Sequence, residues 1–304
     1  LANSGFIPYL EDNFEVCREK VKQQYHGRVK NLCPINSLFF NWGPGKYGHN
    51  SEFYPTIYPE LVLKKLDQPA FELKDITTEI ATKFLKTYGI KPTDDFVVLH
   101  LRETQKGEPS LHDFRNVNPI HYNDAIDFLL SHGIKVIRIG SPHMTSLQKR
   151  KGFIDFTKVG SKPDEVDIYL CAKARFYWGS LSGPVSLAIH FGTKLLLTNV
   201  LPYGRTFPNT LVQYLPMFDN VSKKQLKIDD IRDRGLNTIF APQPFLRANL
   251  TPRFADSKTN LRSIKEMLEY LDKGEIYRRN QDRKDDLLQR KILGGLTSDT
   301  MELL

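Results

Sequence analysis

The chain has 304 residues, which is enough for two domains or one large one. Hydrophobic residues make up 40% of the sequence and the mean hydropathy is −0.40, as expected of a globular protein with a buried core. The formal net charge of +8 suggests an anionic partner, such as a nucleotide, nucleic acid, anionic lipid or acidic glycan. The simpler alternative is a basic surface that keeps the protein in solution.

The amino-terminal third has mixed patterns. Its apolar spacing predicts a helix over 10–24, and a segment rich in Gly, Pro, Asn and aromatic residues predicts an ordered loop over 41–60. Residues 72–90 have the periodicity of an amphipathic helix, for which Thr77 or Asp75 would be the N-cap.

Strands and helices alternate along the middle of the chain. The predicted strands cover 96–103, 135–140, 153–157, 174–180 and 194–200, and the predicted helices cover 119–132, 163–173 and 183–191. Such a run of βα units requires a largely parallel sheet with crossover helices. After Pro202 the pattern weakens. Residues 226–231 and 237–240 would form the rim of the same domain, and a helix would cover 259–274.

The three cysteines, Cys17, Cys33 and Cys171, favour a reducing compartment, because their odd number and spacing make a poor disulfide framework. No run approaches the roughly 18 consecutive apolar residues of a spanning helix. The sequence therefore predicts a cytoplasmic protein, with the inner face of the membrane as an alternative location. The chain begins at Leu1 rather than Met, which leaves open a targeting signal upstream.

The segment HLRETQKG follows the first clear strand. Because side chains alternate along a strand, His100 and Arg102 point to the same face near its carboxyl end. The planar fork of an arginine suits a pair of phosphate oxygens, and Lys106 adds a mobile positive charge in the following loop. In isolation this triplet is also compatible with a strand-end arginine in an ordinary salt bridge.

The segment WGSLSGP joins a strand to a helix. Ser180 and Ser182 carry hydroxyl donors, and Gly183 begins a helix whose free N–H groups and dipole attract anions. The alternative is ordinary N-capping by Ser182. Two further polar residues are candidates: Asp167 near the start of a helix and Asn199 at the end of a strand.

Several known site types have no counterpart in the sequence. The histidines lack metal spacing, and no G-x-G-x-x-G, P-loop or G-x-S-x-G motif is present. Asp94 and Asp95 precede their strand, at the wrong end for a metal–diphosphate site. We therefore expect no metal site and no tightly bound cofactor.

The order of the motifs is more specific than any one of them. The chain contains HLRE, FRN, YNDAIDFLLSHGIKVIRIG, FIDF and DIYLCAKARFYWGSLSGP in sequence. Over about 71–231 this order resembles a family of bacterial glycosyltransferases from surface-polysaccharide gene clusters, some of which are fused to tetratricopeptide repeats. The same stretch is more distantly similar to the donor domain of α1,6- and protein-O-fucosyltransferases.

The resemblance implies roles for individual residues in a metal-independent, fucosyltransferase-like reaction. His100 and Asp167 would contact guanine, Arg102 the β-phosphate and Lys106 the reacting centre, while Ser182 and Gly183 would contact phosphate. The bacterial family usually has Asp where this chain has Glu103. The longer side chain of Glu103 leaves its role as a base open. For an inverting reaction, Glu103 and Glu108 are the candidates for the base that takes the acceptor proton.

We therefore expect an α/β, GT-B-like protein whose Rossmann-type donor domain spans 93–258. Residues 1–92 would form a smaller acceptor-side region, and helices in 259–304 would pack back across it. The expected reaction transfers a sugar from a nucleotide diphosphate sugar, with GDP-sugar favoured, to a glycan or glycolipid acceptor.

Three other classes of protein are alternatives to a glycosyltransferase. The main alternative is a non-catalytic nucleotide- or sugar-binding module. A nucleic-acid-binding protein is disfavoured because Trp42 and Trp178 do not lie in basic runs. An NAD-dependent enzyme or epimerase is disfavoured by the missing glycine fingerprint.

Any association of the protein with the membrane surface would be peripheral.

Overall fold

The computed structural model describes residues 9, 39–43, 46–49, 69, 71–104, 113–203, 210–237, 239–273 and 295–297. Its centre is a seven-stranded sheet in which every neighbouring pair of strands is parallel. The predicted α/β class with a Rossmann-type parallel sheet is confirmed. The helix predicted over 10–24 lies outside the described residues. In the part of the chain described, no helix is both long and apolar enough to cross a membrane.

The strands of the main sheet are not in sequence order. In chain order the strands are β1 (Phe39–Gly43), β2 (Lys46–His49), β3 (Phe96–His100), β4 (Lys135–Arg138), β5 (Phe153–Asp155), β6 (Tyr177–Gly179), β7 (Leu195–Val200), β8 (Thr210–Tyr214), β9 (Met217–Asp219), β10 (Leu250–Pro252) and β11 (Gly295–Thr297). The main sheet has the order β5-β4-β3-β6-β7-β8-β11. Two antiparallel pairs, β1 with β2 and β9 with β10, lie outside it.

Helices cover both faces of the sheet. They are α1 (Asp75–Lys86), α2 (Asn123–Ser131), α3 (Asp164–Lys173), α4 (Gly183–His190), α5 (Ile228–Asp233), α6 (Pro242–Arg247) and α7 (Ser257–Lys273). Short 3-10 helices cover Asp113–Arg115, Pro119–Tyr122 and Phe156–Lys158. One core cluster contains apolar residues of α1, α3 and α4, and the other contains those of α2 and α7.

The strand β3 explains why its sequence is an unbroken apolar run. Val98 packs into the cluster of α1, α3 and α4, whereas Val97 and Leu99 pack into the cluster of α2 and α7. Both faces of this strand are thus covered, and all its residues are buried. Alternating polar residues would place unsatisfied groups in one of the two cores.

One helix from each of the two flanking regions packs against elements of the expected donor domain. Helix α1 precedes the expected boundary at residue 93, yet it packs against α3. Helix α7 follows the expected boundary at residue 258 and packs against α2 and β7. The sheet needs both helices because each covers apolar strand surface that would otherwise face water.

The cap of α1 differs from the prediction. Lys74 is the N-cap residue, and no side-chain hydrogen bond caps the helix. Thr77 is buried inside the first turn, where its Oγ1 accepts a hydrogen bond of 2.7 Å from the Tyr9 hydroxyl. The predicted cap, Thr77 or Asp75, is therefore wrong: the helix already includes both residues, and the Thr77 hydroxyl is engaged by Tyr9.

Candidate functional site

The order of the strands creates a switch point between β3 and β6. From β3 the chain proceeds outward through β4 and β5, and it then returns to the other side of β3 to form β6, β7 and β8. In open α/β sheets, ligands bind beyond the carboxyl ends of the strands at such a point. The HLRE and GSLSG segments, which the sequence singled out separately, follow these two strands.

The backbones of the two segments approach each other closely. The N–H of Ser180 donates to the carbonyl of His100 at 3.1 Å. Gly179 lies between them with φ +147°, and a Cβ atom at this position would be 1.9 Å from the same carbonyl oxygen. Glycine is thus required here by both the backbone conformation and the available space.

His100 is a buried, neutral imidazole at the end of β3. Only 4% of the residue is exposed, and its Nδ1 has no hydrogen-bond partner among the described residues. Burial, together with the positive charges of Arg138 and Arg102, lowers the pKa of His100 to about 4. At neutral pH the ring is therefore uncharged.

Arg102 lies just beyond the strand, and hydrogen bonds to its main-chain groups hold it in place. Its N–H donates to Ser180 Oγ at 3.2 Å, and its carbonyl accepts from the N–H of Val117 at 3.0 Å. The guanidinium Nε is buried without a partner in the described part of the chain. Burial lowers the pKa of Arg102, an effect opposed by the charge of Asp113, but a guanidinium stays protonated at neutral pH.

Ser182 and Gly183 form the start of α4. Ser182 occupies the N-cap position, but its side chain makes no capping hydrogen bond. Gly183 is exposed, and Pro184 follows it in the first turn, where a missing N–H costs no helical bond. The preceding loop is anchored by Arg115, whose Nη1 donates to the carbonyl of Leu181 at 3.3 Å. The Ser182 hydroxyl is thus not committed to capping the helix.

Glu103 is engaged by neighbouring groups. Arg138 Nη2 donates to its Oε1 at 2.9 Å, and the N–H of Thr145 lies 3.1 Å from both carboxylate oxygens. The Thr145 hydroxyl donates to Oε2 at 2.5 Å. Each carboxylate oxygen therefore already accepts two hydrogen bonds from protein groups.

Asp167 and Asn199 also have protein partners. Asp167 lies in the first turns of α3 and forms an ion pair with Lys162. Burial raises the pKa of Asp167, and Lys162 opposes this effect. Asn199 is 2% exposed with φ +54°, and its Oδ1 accepts from the N–H of Ala255 at 2.9 Å. The other amide atom, Nδ2, is buried without a partner among the described residues.

The structure brings together His100, Arg102, Ser180, Ser182 and Gly183 at the ends of adjacent strands and the helix that follows. Lys106 and Glu108 lie outside the described residues. Sequence reasoning overlooked Arg138 and Gly179. Arg138 ends the strand neighbouring β3, so an arginine at the end of the apolar KVIR run was the available signal. Gly179 had none beyond its position at a strand end.

The fold and this edge define a Rossmann-type α/β protein with cationic and hydroxyl side chains at its switch point. No family model and no curated protein matches the sequence. In the described part of the chain, no three His, Cys, Asp or Glu side chains are grouped as a metal site.

Solved structures are similar to part of the chain. The glycosyl transferase family 9 from Veillonella parvula DSM 2008 aligns with 14% identity over 43% of this chain and 38% of that chain, at a TM-score of 0.35. The iron-containing heptosyltransferase TibC in complex with ADP-D-beta-D-heptose aligns with 16% identity over 60% of this chain and 46% of that chain, at a TM-score of 0.35. TibC from enterotoxigenic E. coli H10407 aligns with 17% identity, the same coverage and the same TM-score. The chain thus spans less than half the length of these proteins.

Proposed function

We propose that the protein is a glycosyltransferase that moves a sugar from a nucleotide diphosphate sugar to a hydroxyl group of a glycan. One observation carries the proposal. The two segments that resemble donor-binding motifs lie 78 residues apart in sequence, yet they meet at the switch point through the bond from Arg102 N–H to Ser180 Oγ. A ligand at this position would face Arg102, Ser182 and the N-terminus of α4 together.

The proposed chemistry is stabilisation of a departing diphosphate. The acceptor oxygen bonds to the anomeric carbon, the bond from that carbon to the diphosphate oxygen breaks, and the diphosphate leaves with the electron pair. Arg102 and the N–H groups at the start of α4 would stabilise the charge that develops on it. Lys106 would add a second cation. These charges are the basis for proposing a reaction that needs no divalent metal.

The acceptor proton needs a base. Both oxygens of Glu103 already accept hydrogen bonds from Arg138 and Thr145, which leaves neither oxygen free to receive a hydrogen bond from the acceptor hydroxyl. Glu108 remains the sequence candidate for the general base. Measurement of kcat distinguishes Glu103 from Glu108, because removal of the residue that acts as the general base lowers kcat about 100-fold or more.

The donor base is proposed to be guanine. The N1–H and N2–H₂ edge of guanine offers two donors to one carboxylate, an edge that uracil and thymine lack. Asp167 is a mostly buried carboxylate near the start of α3, and the resemblance assigns this position to the residue that contacts the nucleotide base. Binding would require Asp167 to share its oxygens between guanine and Lys162.

The biological setting is proposed from the same resemblance. The acceptor would be a glycan or glycolipid, and the reaction would serve bacterial surface-polysaccharide synthesis in the cytoplasm or at the inner face of the membrane. Donor binding would involve no additional cofactor, because the nucleotide sugar is a co-substrate.

The decisive experiment is a screen of GDP-, UDP-, dTDP- and CMP-sugars for binding and transfer, repeated with Arg102→Ala. We expect this variant to weaken nucleoside diphosphate binding about 10- to 100-fold, since a charge-assisted bond contributes about 1.5–3 kcal/mol. Its kcat/KM should fall further, because contacts to the transition state are stronger. Arg102→Lys should restore activity only partly, because an ammonium lacks the planar fork.

The matched control is Arg175→Ala at the opposite end of the sheet, where the arginine pairs with Asp95 at 2.7 Å and Asp272 at 3.2 Å. It should lower stability slightly without changing donor affinity. Wild-type kcat/KM in Arg102→Ala would refute the phosphate role, and unfolding of that variant would make the residue structural. Tight binding of a nucleotide sugar without any transfer would favour the non-catalytic module.

A further inference from the structure

A buried arginine lies beside the switch point without belonging to either motif. Arg138, the last residue of β4, is 0% exposed. Its Nη2 donates to Glu103 at 2.9 Å, and its Nη1 lies 3.3 Å from Asp155 Oδ2 and 2.5 Å from the carbonyl of Thr145. Its guanidinium therefore joins the loop after β3, the loop after β4 and the end of β5.

Burial of the Arg138 ion pairs is not explained by stability alone. Removing an arginine from water carries a large desolvation penalty, so a buried ion pair adds little net stability compared with packed apolar side chains. Such an ion pair does provide fixed geometry, because the planar guanidinium donates its hydrogen bonds only in defined directions. An Arg138 that merely filled space would be replaced at lower cost by a leucine.

The group that this geometry fixes is the main chain of Arg102. Glu103 is joined to Arg102 by one peptide bond, and its carboxylate is tied to Arg138 and Thr145 on the β4 side. On the β6 side, Ser180 Oγ accepts the N–H of Arg102. Arg102 is thus anchored from both strands that neighbour β3.

We propose that Arg138 and Glu103 are positioning residues that hold Arg102 in place for a diphosphate, and that Glu103 does not act as the catalytic base. This inference rests on the proposed function for the identity of the ligand. Its physical reason is the sensitivity of transition-state contacts to position, since a displacement of about 1 Å can reduce rate about 100-fold. A long, flexible arginine side chain on an unanchored loop would lose that precision.

The test combines an exchange measurement with binding and kinetics in the full chain. The variants are Glu103→Gln, Arg138→Gln and the double variant. Glu103→Gln has the shape of the wild-type side chain, but its NH₂ group faces a donor from Arg138 or Thr145. We expect amide hydrogen exchange of 101–104 to rise about tenfold without ligand, and the Kd for GDP to rise five- to twentyfold.

Two readouts separate positioning from other roles. If Arg138 acts through Glu103, the double variant should bind GDP no more weakly than Arg138→Gln alone. The pH profile of kcat should keep its acid limb in Glu103→Gln, whereas a base role predicts loss of that limb and a fall in kcat of about 100-fold or more. Arg175→Gln, which also removes an arginine from two carboxylates, should change neither exchange of 101–104 nor the Kd.

Each outcome bears on one claim. Wild-type exchange of 101–104 in Glu103→Gln would overturn the positioning role whatever the protein binds, and additive losses in the double variant would overturn the coupling. If Arg138→Gln does not fold, Glu103→Gln decides alone, because Asp155 still pairs with Arg138. Faster exchange in Glu103→Gln, without nucleoside diphosphate binding by the wild type, would uphold the anchor and refute the proposed glycosyltransferase function.

Discussion

Gly179→Ala should displace the main chain at the end of β3 and thereby disrupt the site that begins there. The new Cβ atom would lie 1.9 Å from the carbonyl oxygen of His100 and 2.8 Å from its carbonyl carbon. A carbon–oxygen contact closer than about 3.3 Å is strongly repulsive. The backbone segments at Gly179 and His100 must therefore separate by about 1.4 Å, which would also strain the bond from Ser180 N–H to that carbonyl.

The expected magnitude follows from two costs. Overpacking a well-filled interior costs about 1–3 kcal/mol, and a side chain in a disfavoured φ region costs about 1–3 kcal/mol. We therefore expect Gly179→Ala to lower the free energy of unfolding by about 2–6 kcal/mol. Because each 1 kcal/mol corresponds to about 2–4 °C in a domain of this size, Tm should fall by about 4–24 °C.

Two matched glycine variants separate the contributions. Gly133 has φ +76° with no atom within 4 Å of an added Cβ, so Gly133→Ala measures the cost of backbone conformation alone. Gly160 has neither constraint, and Gly160→Ala should stay within about 0.5 kcal/mol of wild type. Urea unfolding followed by circular dichroism gives all three values. Equal losses in Gly179→Ala and Gly133→Ala would refute the predicted contact with His100.

Three further predictions concern charge and ligand. The pKa of His100 is lowered from 6.5 to about 4, so the unfolded chain binds more protons than the folded protein between these pH values. The free energy of unfolding should therefore fall by about 3 kcal/mol as pH decreases from 6.5 to 4. Urea unfolding across this range should show the loss in wild type but not in His100→Gln, and parallel pH dependences of the two proteins would contradict the prediction. Asp167→Asn should weaken GDP binding selectively with little change in Tm; equal wild-type affinity for GDP and UDP, measured by calorimetry, would defeat the guanine proposal. Nucleoside diphosphate binding should survive EDTA, and its loss in the same titration would refute metal independence.

The sequence by itself determined the class of fold. Alternation of apolar runs and amphipathic helices is a local property, and it identified β3 to β7 and their helices to within a few residues. It did not identify β8, because two of its five residues, Thr210 and Gln213, are polar yet buried. Burial on both faces makes an apolar run the expected signal, and these two side chains interrupt it.

Only the tertiary structure decided which residues meet. Strand order is set by pairing between distant segments, so the contact between Arg102 and Ser180 could be expected from the general rule for α/β sheets but not located within the chain. The sequence offered Glu103 as a base because of its position after Arg102. Its partners Arg138 and Thr145 lie 35 and 42 residues further along the chain, and only folding brings them to its carboxylate. The local sequence therefore indicates which chemical groups lie at a strand end, whereas their positions and interactions depend on neighbours that only the fold brings close.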